Sequence, residues 1–118
     1  MKLKINNLPE WNMVAGESKV RTITLRNEET GRLYNLEGAT AVLTVVDFVN
    51  FAADTLVRRE IPITANEDGT FCLCTLTLNP EDTEGEYGKY IYQVALTDEA
   101  GHRSKPRGIL YIAHANED

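Results

Sequence analysis

Between Gly88 and Thr97 the chain alternates. Tyr90, Tyr92, Val94 and Leu96 fall on one side of an extended backbone, and Lys89, Gln93 and Thr97 on the other. Ile91 and Ala95 are the exceptions. Successive side chains of a strand point to opposite faces, so a period of two marks a strand half buried against an apolar layer. Asp98-Glu99-Ala100-Gly101 closes the run, because Gly101 can take the positive φ of a turn. We read this segment as the central strand of an all-β domain.

The rest of the chain fits the same plan. Lys2 to Leu8 alternates and reads as a first strand, interrupted at Leu8-Pro9-Glu10-Trp11 because Pro9 has no N–H for a ladder. Val20 to Arg26 follows, with Ile23 and Leu25 expected inward. Thr40 to Val46 is the most β-prone stretch; Ala41, Leu43 and Val45 are expected in the core, and Val42 and Val46 outside it. Asp47 to Thr55 is apolar without regularity and can hold a helical turn. Leu56 to Thr64 carries Pro62 beside Arg58, Arg59 and Glu60, the marks of an edge strand.

Asp68-Gly69 signals a hairpin, since the pair tolerates left-handed geometry. Thr70 to Leu78 should then bury Cys72, Cys74, Leu76 and Leu78. Lys105-Pro106-Arg107-Gly108 bends the chain before a last strand, Ile109 to Ala113. Seven short strands without helical periodicity predict an antiparallel β-sandwich; a parallel sheet would need crossover helices. The 118 residues read as one domain, residues 1–118, with its core between about 13 and 113.

Charge and composition exclude several roles. Twelve basic against 18 acidic residues give a net charge of −6, which repels phosphate backbones, so no nucleic-acid partner is expected. No window approaches the roughly 20 apolar residues of a membrane helix, and no membrane partner is expected. Lys2 and Lys4 are not followed by the apolar run of a signal peptide, so the chain is expected in the cytoplasm.

Residues able to do chemistry are scarce. Cys72 and Cys74 share a strand face, which suits two small buried residues better than a disulfide; half a metal site would need His102 or His114. Glu81, Asp82, Glu84 and Glu86 crowd one loop, which can attract calcium but is read here as a solvated acidic turn. Ser18, Ser104, His102 and His114 form no recognisable nucleophile–base pair. No catalytic residue, cofactor or metal is assigned, and the chain is not expected to be an enzyme. Trp11, Phe48 and Phe51 lie outside the alternating strands: they either plug the ends of the sandwich or form a partner-binding patch, which Val42 and Val46 would extend.

A set of motifs recurs in order: Gly16-Glu17-Ser18, Asn35-Leu36-Glu37-Gly38-Ala39-Thr40, Asp68-Gly69, Leu78-Asn79-Pro80-Glu81-Asp82-Thr83, Gly88-Lys89-Tyr90-Ile91-Tyr92, Leu96-Thr97-Asp98-Glu99-Ala100-Gly101 and Gly108-Ile109-Leu110. In this order they resemble the immunoglobulin-like domain at the N-terminus of upper baseplate and related tail proteins of phages and prophages of Gram-positive bacteria. The resemblance covers residues 14 to 113. It implies a non-catalytic sandwich in a virion tail or baseplate, packed against copies of itself or another virion protein. Gly38 and Gly69 then serve tight backbone, Tyr92 the core, and Tyr90 resembles the tyrosine corner, with its ring inside and its hydroxyl bonded upstream. The alternative is a carbohydrate-binding or adhesion module, which would display aromatics such as Trp11 or Tyr34 to a glycan.

Overall fold

The computed structural model describes residues 4–49 and 55–114. Its strands are β1 (Trp11–Val14), β2 (Lys19–Thr24), β3 (Thr40–Asp47), β4 (Val57–Ile61), β5 (Ile63–Ala65), β6 (Phe71–Leu78), β7 (Gly88–Thr97), β8 (Arg103–Ser104) and β9 (Arg107–Ala113), with one helical turn, α1 (Pro80–Thr83), after β6. They form two sheets. The larger runs β1-β9-β7-β3-β4, with β8 also on β7; the smaller runs β2-β6-β5. The chain is an immunoglobulin-like β-sandwich.

The long alternating run is β7, flanked by β3 and β9. Tyr92 and Val94 are fully buried, and Tyr90 and Leu96 nearly so. Ala41, Leu43 and Val45 of β3 lie against them, and Ile23, Cys74, Leu76 and Leu78 of the second sheet complete the core. Each valine, leucine or isoleucine side chain so removed from water contributes about 1.5–3 kcal/mol before the entropy of ordering is subtracted.

The structure departs from the sequence reading in four places. Residues 4–8 form no strand: Ile5 makes an isolated bridge to Asn27, and the arm is held by the Leu8 amide donating to the Arg107 carbonyl at 2.9 Å. The alternation there reflects two buried anchors, Ile5 and Leu8, so the core begins well before residue 13. The first strand is β1, which begins at Trp11 and pairs parallel with β9, so the sandwich is not wholly antiparallel. Leu56 to Thr64 is also not one strand. Pro62 separates β4, an edge of the larger sheet, from β5, an edge of the smaller. The proline does mark an edge, but of both sheets, because a residue without an N–H suits the corner where the chain changes layer. Finally, the last strand starts at Arg107, two residues earlier than expected.

An ion pair closes one end of the sandwich. Arg59 of β4 donates to both carboxylate oxygens of Asp82 at 2.8 and 3.0 Å and to the Thr77 carbonyl at 2.6 Å. Asp82 also accepts the Asn79 amide at 2.7 Å, which satisfies an orphan donor at the start of α1. Burial pushes the Asp82 carboxyl up, but the Arg59 bonds and charge and the Asn79 amide outweigh it, and the net shift is downward. A depressed carboxylate stabilises above its unfolded value and loses that contribution as pH falls through its folded value. Asp82→Asn is therefore expected to cost about 1–3 kcal/mol at neutral pH. Urea denaturation at several pH values should show the gap to wild type closing once the solution is more acidic than the usual carboxylate range.

Candidate docking surface

Because β3, β7 and β9 each bury alternate residues, their remaining side chains form the outer face of the larger sheet. Ladder register puts Val46 opposite Ile91 and Ile91 opposite Ile109. Three branched apolar side chains thus lie in a row across three strands, each half-buried. Val42 sits farther along β3, opposite Ala95. Phe48, 38% exposed, lies just beyond β3 and shares a groove of about 500 Å³ with Val46, Ile91 and Arg107. A second groove, of about 490 Å³, runs from Phe48 and Ile91 to Ile109 and Leu8. Tyr111 and Val14, at 38% and 41% exposure, carry the apolar surface over β9 and β1. The Lys89 ammonium stands 3.9 Å from the centre of the Phe48 ring, a cation–π contact at the rim.

The sequence candidates divide. Val42, Val46 and Phe48 share this face; Phe51 lies outside the described residues. Trp11 does not belong to any patch. It is 2% exposed and packs edge-on against Tyr92, with ring centres 5.5 Å apart, because β1 turns it inward beside β9. Nor is Tyr34 an open platform: it packs on the core, and its hydroxyl bonds the Lys4 amide and carbonyl and the Asn27 side chain. The most exposed tyrosine is Tyr87, stacked on His114 at 3.9 Å between ring centres. Sequence reasoning passed over Ile91, Ile109, Tyr111 and Val14. The signal was present, since Ile91 and Ala95 are the residues that break the alternation of β7.

The remaining positions serve the fold. The Tyr90 ring is buried, and its hydroxyl donates to Glu86 Oε2 at 2.8 Å, with a longer 3.4 Å contact to the Tyr87 carbonyl. Burial and the Glu86 carboxylate push its ionisation up to about 12. Gly38 has φ of +79°, and a Cβ there would stand 2.6 Å from the Glu99 side chain. Gly69 has φ of +84° at the β5–β6 turn. Cys72 and Cys74 are buried and unbridged; burial raises both thiols, Cys74 to about 12, which keeps them protonated and unreactive. In the acidic loop Asp82 is held by Arg59 and Glu86 by Tyr90. Among the described residues no three His, Cys, Asp or Glu side chains converge on a point where a metal could sit. His102 braces its own turn, its Nδ1 2.8 Å from Asp98 and its amide donating to the same carboxylate.

No protein-family model matches this sequence, and a search of curated proteins finds no match. Among solved structures the chain is similar to CopC from Methylosinus trichosporium OB3b, with 12% identity over 92% of this chain and 88% of that one and a TM-score of 0.50. It is also similar to part of a putative glycoside hydrolase from Bacteroides vulgatus, with 11% identity over 91% of this chain and a TM-score of 0.51. The chain spans only 17% of that protein. At such identities the likeness concerns the fold alone.

Proposed function

We propose that this chain is a non-catalytic assembly module, a component of a phage or prophage tail or baseplate that packs on itself or on another virion protein through the outer face of its larger sheet. The observation that carries this reading is the row Val46–Ile91–Ile109 across the outer face of the larger sheet, with the exposed Phe48 at its end. A half-polar sheet face needs no branched residues aligned across three strands; an interface core does. The ordered motifs, which resemble those of upper baseplate domains, support this class of assembly.

Light scattering over a concentration series, alone and with tail proteins encoded beside it, tests the reading. Association is expected in one of these mixtures. Ile91→Lys should weaken it at least tenfold, about 1.4 kcal/mol, while leaving the circular-dichroism spectrum unchanged. A strict monomer that also ignores its gene neighbours, or an association that Ile91→Lys leaves intact, contradicts it.

A further inference from the structure

β8 and β9 keep one register against β7 across Lys105 and Pro106: Leu96 faces Ser104 and Gln93 faces Arg107, three residues apart on both strands. Pro106 is buried, and the alternation continues through it. Arg103, Lys105 and Arg107 therefore project from the outer face of one strand line, in phase with Ile109 and Tyr111. Alternate residues on a strand are about 6.6 Å apart, so these cations form an evenly spaced row. The row is unusual in a chain of net charge −6, where three of twelve basic residues fall within five positions.

Across β7, Arg103 faces Thr97 and Arg107 faces Gln93, and the same register carried between them sets Lys105 beside Ala95. Among the described residues no carboxylate forms an ion pair with Arg103, Lys105 or Arg107. They line a cleft of about 870 Å³ whose other wall is Lys4, Ile5, Asn7, Glu28 and Glu29, with Lys4 already paired to Glu29. Arg107 also lines both apolar grooves, so cleft and grooves form one surface.

We infer that the docking partner presents an extended acidic segment, with carboxylates at alternate positions followed by apolar side chains, that lies along Arg103, Lys105, Arg107 and Ile109. This rests on the assembly reading above and names the chemistry of its partner. A purely apolar partner would bury the three cations unpaired, which is costly. Nucleic acid fits poorly, because its phosphates would meet the cations but offer no apolar side chains to Ile109 and the grooves that Arg107 lines.

The test uses two peptides of equal composition, Glu-Thr-Glu-Thr-Glu-Leu and a block-ordered Glu-Glu-Glu-Thr-Thr-Leu, with a short oligonucleotide as a third probe. Binding is followed by amide chemical shifts of the intact chain. The alternating peptide should bind tightest, shift residues 103–109, weaken with added salt, and lose at least tenfold in affinity to Lys105→Glu/Arg107→Glu. Equal binding of both peptides, tighter binding of the oligonucleotide, shifts elsewhere, or an unaffected double variant overturns the inference. Light scattering of the same variant separates the two claims. If Ile91→Lys abolishes association and the charge reversal does not, the acidic-partner inference fails alone; if neither variant matters, the assembly reading fails with it.

Discussion

Tyr92→Ala is expected to lower the stability of the domain by about 3–5 kcal/mol, a fall in melting temperature of roughly 10–20 °C for a chain of this size. Tyr92 is the residue on which three parts of the fold converge. It is fully buried at the centre of β7, its ring meets Trp11 of β1 edge-on, and its hydroxyl donates to the Pro9 carbonyl of the N-terminal arm. Truncation leaves a cavity between the sheets and orphans that carbonyl together. Tyr92→Phe separates the two effects: it keeps the ring and should cost only about 1–2 kcal/mol.

Burial pushes Tyr92 ionisation up to about 12, as it does, with Glu86, for Tyr90. A group whose folded value is raised contributes stability below its unfolded value and loses it as pH climbs through the folded one. The wild type should therefore weaken between about pH 10 and 12, and less so in Tyr92→Phe. Thermal melts across that range check this. A Tyr92→Ala domain within about 1 kcal/mol of wild type would show that the arm and β1 do not depend on this ring.

The second large effect is expected at Gly108. Its φ is unremarkable, so the requirement is space and not backbone freedom. A Cβ there would stand 2.8 Å from the Leu8 carbonyl oxygen, 2.8 Å from Tyr92 Cε1 and 3.0 Å from the Pro9 carbonyl oxygen. Two of the three are main-chain atoms, which a rotamer change cannot move. Gly108→Ala must lift the arm off β9 or displace the Tyr92 ring, at a cost of about 1–3 kcal/mol. In a chain lacking residues 1–9 the two carbonyls are gone, and the same substitution should cost markedly less. Urea midpoints of the four proteins measure the difference. An equal penalty with and without the arm would mean that the Tyr92 ring, and not the two arm carbonyls, sets the cost.

Much of this architecture is legible because period two is a strong signal. The inward faces of β3, β6 and β7 follow directly from alternation, and Asp68-Gly69 marks its turn. What escaped was set by contacts distant in sequence. Trp11 looked like a loose aromatic because the four-residue strand it begins has a parallel partner about a hundred residues later. Gly108 read as a bend, since nothing local reveals that Leu8 and Pro9 cross over it. Pro62 marked an edge, but one residue cannot say that the chain changes sheets there. The outer apolar face was half legible. Val42, Val46 and Phe48 were visible as apolar residues without a place in the core, whereas the join of Val46 to Ile91 and Ile109 needs the register of three strands.

The outer face of the larger sheet is the proposed site of association. Methyl spectra of the chain, free and associated, address this directly. The Ile91, Ile109 and Val46 methyls should shift on association, while those of Val94 and Leu96, inside the core, stay in place. Unmoved outer-face methyls, with shifts instead at Val20 on the opposite sheet, would contradict the account.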